Sequence, residues 1–146
     1  LDRLLTRYTG WADLKSNVFP SDAKRGWFLG LDNRKVRIPG DTEGTKRHLA
    51  MSGYLQGGEA VVMKLATVKF YPELQKLGGK LVNFVHDEWQ EECKNNMEVA
   101  LEIARLMADS LRLVGEDLKL NCPLAGSYFN DDIKDYTVGT NWSVTH

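Results

Sequence analysis

The sequence predicts an α+β fold in which a small antiparallel sheet is packed against helices. Three observations predict it. Two short strand-like runs face each other across an Asp-Asn turn at residues 26–38, and a second pair flanks an ionisable triplet at residues 80–93. Apolar residues keep helical spacing over residues 45–77 and again over 95–114. With no internal repeat and no linker, the 146 residues are expected to form one domain.

Residues 1–15 carry Leu1, Leu4, Leu5, Tyr8, Trp11 and Ala12 at spacings that give a helix one apolar face. Asn17, Pro20, Ser21 and Asp22 are expected to end it. Gly26 to Leu31 and Arg34 to Ile38 then read as a hairpin about Asp32-Asn33, because Asx residues tolerate positive φ. Trp27 and Phe28 are expected in the core, and Pro39-Gly40-Asp41 ends the second strand.

The helix predicted from Thr45 to Leu77 contains Gly57-Gly58, which weakens it by roughly 1 kcal/mol per glycine relative to alanine. The pair implies a kink or a close backbone approach. Pro72 is expected to kink the far end or start a new helix, and Gly78-Gly79 to stop it. Lys80 to His86 reads as an apolar strand, interrupted by Asp87-Glu88, and Trp89 to Cys93 as its returning partner. Asn95 with Glu98 predicts a capping-box start for a helix to Val114, stopped by Gly115. Leu118 to Cys122 is expected as one more strand, and Pro123 to His146 as a turn-rich tail.

The composition is that of a globular chain, 42% apolar and 27% charged. Its net charge of −1 is unevenly spread. Residues 24–48 hold seven basic side chains (Lys24, Arg25, Arg34, Lys35, Arg37, Lys46, Arg47) against Asp32, Asp41 and Glu43, a local +4 that leaves −5 for the remainder. Such a segment suits an anionic partner, nucleic acid above all; a solvated charged face is the plainer alternative. Cys93 and Cys122 lack metal-type spacing and read as reduced thiols. No apolar run approaches the roughly 18 residues that span a bilayer, and no signal peptide is visible, so no membrane partner is expected. Opening on Leu1 rather than methionine, the chain is expected to be a processed product or an excised segment.

The sharpest local feature is Phe84-Val85-His86-Asp87-Glu88, a strand that ends in three ionisable residues. Carboxylates at a hairpin tip can hold a hard divalent cation, and phosphoryl transfer needs such a cation to stabilise attacking and leaving oxygens. A polar turn would show the same residues.

Three ordered blocks carry a resemblance. The first is Gly30-Leu31-Asp32-Asn33-Arg34-Lys35-Val36, followed by His48, then Leu55-Gln56-Gly57-Gly58-Glu59-Ala60 and Lys64. The second is Val85-His86-Asp87-Glu88-Trp89-Gln90, and the third is Gly139-Thr140-Asn141-Trp142-Ser143-Val144-Thr145-His146. Together they resemble the family A (Pol I-type) DNA polymerases, podophage branch, over about residues 24–146; residues 1–23 match the end of a fingers/palm helix only loosely. The resemblance implies the carboxy-terminal portion of a polymerase palm, with the second block as motif C.

By that resemblance Asp87 is the motif C aspartate that binds catalytic Mg²⁺, Glu88 supports it, and His86 lies against the primer end. Gln56 is the glutamine that reads the minor-groove side of the terminal pairs, through acceptors present in every correct pair. Arg34 and Lys35 approach the duplex backbone, with Arg34 expected to carry more of the contact. Ser52 stands where the family has asparagine, which shortens the reach of that primer contact. Asp41 to Thr45 resembles a short insertion, and Trp89 is bulkier than the usual isoleucine or leucine.

Nothing in the chain resembles motif A or the fingers helix, and a two-metal site needs carboxylates from both motifs. The resemblance therefore implies half of an Mg²⁺ site, completed by a polypeptide carrying motif A and the fingers. Primer-template DNA and dNTP are the implied partners, and the cytoplasm of a bacterium or of a phage-infected host is the implied location. A non-catalytic nucleic-acid-binding module is the alternative. A self-sufficient metal nuclease built on His86, Asp87 and Glu88 would need more ligands than the chain clusters.

Overall fold

The computed structural model describes residues 6–128 and 142–143. Leu1, Leu4 and Leu5 of the first expected helix lie outside the described residues, as does the third resemblance block apart from Trp142 and Ser143. The chain forms two compact units, residues 1–61 and 62–146.

In the first unit, helix α1 (Thr9–Asp13) runs through a π-helical turn (Leu14–Val18) into helix α2 (Phe19–Arg25). The break expected between Asn17 and Asp22 is absent. Pro20 lies in the first turn of α2, directly after the π-helical turn. Gly26 ends the helix with φ of 82°, a left-handed conformation that glycine adopts without strain. Strands β1 (Trp27–Leu29) and β2 (Lys35–Arg37) then pair antiparallel, with Trp27 opposite Arg37 and Leu29 opposite Lys35. Asn33 takes the positive φ, 62°, that the turn chemistry predicted.

Helix α3 (Glu43–Lys76) passes unbroken through Gly57, Gly58 and Pro72. Its early part closes the core of the first unit, where Phe19, Phe28, Ile38 and Ala50 are buried. Tyr54 stacks on Phe28 with ring centroids 4.4 Å apart. Its hydroxyl donates to the buried Asp22 at 2.8 Å, and that carboxylate also pairs with Arg25. Burial, then the hydrogen bond and charge of Asp22, push the Tyr54 phenol up to about 12.

In the second unit, the later part of α3 meets strands β3 (Lys80–Val85) and β4 (Glu88–Glu92) and helix α4 (Met97–Asp117). Phe70, Leu74, Ile103 and Met107 form its core, bordered by Leu81, Trp89 and Cys93. Each such side chain, once fully buried, stabilises the fold by about 1.5–3 kcal/mol. The cap of α4 is Asn96, not Asn95: its side chain accepts from the amides of Glu98 and Val99. Gly115 does not stop α4, which runs to Asp117. The strand expected over Leu118 to Cys122 does not form; β5 (Ser127–Tyr128) pairs instead with β6 (Trp142–Ser143). Among the described residues neither cysteine forms a disulfide, and no helix is long and apolar enough to cross a membrane.

Candidate active site

The β3–β4 hairpin closes with a two-residue loop. Val85 pairs with Glu88, so His86 and Asp87 alone form the connection. Asp87 therefore sits at the tip, while Glu88 is the first residue of β4 rather than part of the turn. His86 adopts φ of 54°. A positive φ is uncommon for a residue with a Cβ, histidine being among those that tolerate it, and such outliers cluster at functional sites.

Asp87 is exposed and forms no hydrogen bond or ion pair among the described residues. Glu88 is also exposed; its Oε1 accepts from the Gln90 amide at 2.8 Å, and Gln90 in turn accepts from Asn83 at 3.3 Å. That relay runs along the outer face of the hairpin. Residues at period two, Trp89, Glu91 and Cys93, take the inner face.

Trp89 anchors the turn. Its Nε1 donates to Thr67 Oγ1 at 2.9 Å, while its ring meets Phe70 edge-on at 4.9 Å and Phe84 at 6.1 Å. Trp89 thus fastens the hairpin to α3, one position away from the acidic pair. Glu91 shares that inner face, and burial raises its carboxyl above the ordinary glutamate value. One extra residue, Val82, is extruded between Leu81 and Asn83 as a bulge.

Among the described residues no group of three or more His, Cys, Asp or Glu side chains could hold a metal ion. Asp87 and Glu88 offer hard oxygen donors at an open tip, which fits part of a Mg²⁺ shell and not the whole of one.

The remaining site residues belong to the first unit. Ser52 is half-buried and Gln56 exposed on α3, four residues apart and so on one helical face. A side-chain atom added at Gly57 or Gly58 would meet nothing within 4 Å, so the helix is bare there. At Gly53, by contrast, such an atom would lie 2.9 Å from Phe28.

Arg34 and Lys35 part company. Arg34 precedes β2 and pairs with Asp32 across the turn. Desolvation pulls the Asp32 carboxyl upward, but the Arg34 amide, guanidinium and charge together hold it below its usual value. Lys35 lies in β2 with its ammonium 4.6 Å from the Trp27 ring centroid. Arg25 covers the same indole at 3.9 Å and donates from Nε to the Trp27 carbonyl. Trp27, expected in the core, is thus only half-buried; Phe28 alone goes inside. The alternation of β1 against β2 carried the signal, since it sets Trp27 opposite Arg37 and Phe28 opposite Val36.

Comparison with known proteins defines the class. No family model matches the chain. Its sequence is 28% identical over 131 residues to the DNA-directed DNA polymerase of Escherichia phage T7, covering 84% of this chain and 16% of that protein. It is 32% identical over 128 residues to the corresponding enzyme of Escherichia phage Phieco32, covering 85% and 19%. With the DNA polymerase I of Caldicellulosiruptor bescii it shares 33% over 97 residues, covering 60% and 11%. In fold it is similar to the POL domain of Pol1 from M. smegmatis, solved in complex with DNA primer-template and dNTP. That likeness has a TM-score of 0.62 and 19% identity, and covers 82% of this chain and 21% of that one.

The chain is therefore homologous to a segment of DNA polymerases, with an α+β fold found in a polymerase domain. The particular kind follows from the company of phage T7 and T3 enzymes with bacterial DNA polymerase I: the chain is homologous to a segment of family A polymerases. The chain spans less than a fifth of the length of these curated relatives.

Proposed function

We propose that these 146 residues are the motif C part of a family A DNA-directed DNA polymerase. They would perform template-directed nucleotidyl transfer only together with polypeptide that supplies motif A and the fingers. The observation that carries this reading is Asp87, an exposed and unengaged carboxylate at the tip of a two-residue turn, within a segment homologous to DNA polymerases. A relative of the same fold was solved with primer-template and dNTP, which supports the same substrates for the completed enzyme. The cytoplasm of a bacterial host would be the place of action.

Asp87 would hold Mg²⁺, with Glu88 beside it; the ion supplies charge stabilisation to the attacking and leaving oxygens of phosphoryl transfer. The chain's own residues do the positioning. Trp89 fixes the hairpin and the Asn83–Gln90–Glu88 relay holds the Glu88 carboxylate, while His86, with its left-handed backbone, would lie against the primer end. Gln56 would offer its amide to the minor groove beside the bare backbone of Gly57 and Gly58. Ser52, one turn earlier, would contact the primer strand and Lys35 would meet the duplex phosphates, whereas Arg34 is tied to Asp32.

Primer extension tests this. The purified chain with Mg²⁺ and four dNTPs should extend nothing, and addition of a polymerase fragment bearing motif A and the fingers should start synthesis. Extension by the chain alone would overturn the half-site reading. Calorimetry should find only weak Mg²⁺ binding to the chain alone, and tight binding would argue for a complete site of another kind.

A further inference from the structure

The β1–β2 hairpin has two unlike faces. Phe28 and Val36 take one, with Phe28 buried in the core of the first unit. Trp27, Leu29, Lys35 and Arg37 take the other, because residues paired across an antiparallel ladder project to the same side. No carboxylate belongs to that second face. Of the acids nearest in sequence, Asp22 is engaged by Arg25 and Tyr54, Asp32 by Arg34 and Glu43 by Arg47, and Asp41 forms no ion pair among the described residues. Neither Lys35 nor Arg37 makes an ion pair among the described residues.

What Lys35 has instead of a carboxylate is an indole. The ring quadrupole attracts an ammonium without neutralising it, so Lys35 is held in place with its charge still available to an anion. Arg25 is committed differently. It is tied to Asp22, to the Trp27 carbonyl and to the Trp27 ring, which makes it a brace for the indole rather than a free cation. With two cations against the ring, Trp27 is poorly placed to stack on a base. Lys35 and Arg37 are two residues apart on one strand, about 6.6 Å along it, a spacing comparable with that of neighbouring phosphates on one nucleic-acid strand.

We propose that the ladder face bearing Trp27, Lys35 and Arg37 is a binding site for the phosphodiester backbone of duplex DNA, with Lys35 and Arg37 as its two phosphate contacts and Trp27 as the positioning residue for Lys35. Arg34 is kept out of it by Asp32. The choice of duplex rests on the polymerase reading above; the cation geometry itself asks only for phosphates.

The test uses the 146-residue chain in fluorescence anisotropy with a labelled duplex of about 20 base pairs, across a salt series. Each phosphate contact contributes about 0.9 to the slope of log affinity against log salt. Lys35→Ala with Arg37→Ala should therefore flatten the slope by about 1.8, a difference of roughly twelvefold in affinity over a fourfold rise in salt. Trp27→Phe should retain the wild-type slope by keeping a ring under Lys35, whereas Arg34→Ala should leave the slope unchanged. The proposal is overturned if the double variant keeps the wild-type slope, if Arg34→Ala takes the loss, if the wild-type chain shows no salt-dependent duplex binding, or if the loss occurs only on single-stranded DNA. Extension by the completed enzyme separates this failure from that of the polymerase reading. At saturating DNA and low salt the double variant should keep its extension rate and lose only DNA affinity. An unchanged slope with active extension sinks the face alone; the predicted loss of slope without any extension sinks the polymerase reading alone.

Discussion

Replacing Trp89 by phenylalanine removes one hydrogen bond while keeping a ring against Phe70, so it isolates what fastens the β3–β4 hairpin to α3. Trp89 Nε1 donates to Thr67 Oγ1 at 2.9 Å, and that hydroxyl in turn donates to the Met63 carbonyl at 2.8 Å. A partly buried bond between neutral groups contributes about 1 kcal/mol net, and leaving one partner unsatisfied costs about 1–3 kcal/mol. Trp89→Phe should therefore destabilise by about 1–2 kcal/mol, part of it from lost ring area. Thr67→Val should cost a similar amount by stranding the indole N–H. The double variant should cost less than the sum, with a coupling energy of about 1 kcal/mol. Urea unfolding followed by far-ultraviolet circular dichroism measures all four proteins. A coupling below about 0.3 kcal/mol, or a change in the urea slope of either single variant, would refute this account of the anchor.

Further outcomes follow from glycine positions and from Glu91. Gly53→Ala should destabilise by about 1–3 kcal/mol, since its new atom would meet the buried Phe28 ring at 2.9 Å. Gly57→Ala, in open space on the same helix, should instead stabilise by roughly 1 kcal/mol and weaken duplex binding if DNA approaches that bare backbone; thermal melts and anisotropy read the two effects. Glu91 has its folded-state pKa raised by burial, so the unfolded chain gives up this proton first and stability falls as pH rises from the ordinary value of 4.5 through the folded value. Glu91→Gln should accordingly stabilise the protein at neutral pH and change little in acid below that ordinary value. Urea midpoints across the pH range would contradict this if the gain were greatest in acid.

Much of the fold was legible because local chemistry and tertiary context agree. The apolar spacing of Ile103, Met107 and Val114 marked α4, and the Asp-Asn pair marked a turn that needed positive φ at Asn33. The sequence misled where two signals compete. Pro20 reads as a breaker, yet the backbone stays helical through the π-turn just before it. Asn95 and Asn96 both offer a capping side chain, and only the backbone geometry decides between them. Gly115 looks like a stop, yet helix α4 continues past it, with Leu124 packed beside that glycine.

At the site, the acidic tip was legible because an apolar strand ending in ionisable residues is an unusual pattern. The inward turn of Glu91 was not, since three glutamates within five positions, Glu88, Glu91 and Glu92, hide which one faces the helices. The Trp27 face was missed for a related reason: an aromatic pair such as Trp27-Phe28 suggests two core residues, while a strand can bury only alternate ones.

The central claim is that Asp87 is a metal-binding carboxylate of a polymerase, and single-turnover primer extension with the completed enzyme tests it most directly. At saturating DNA and dNTP, Asp87→Asn should slow nucleotide addition by several orders of magnitude while leaving the duplex Kd nearly unchanged. A variant that extends primers at the wild-type rate would show that Asp87 is a turn residue and nothing more.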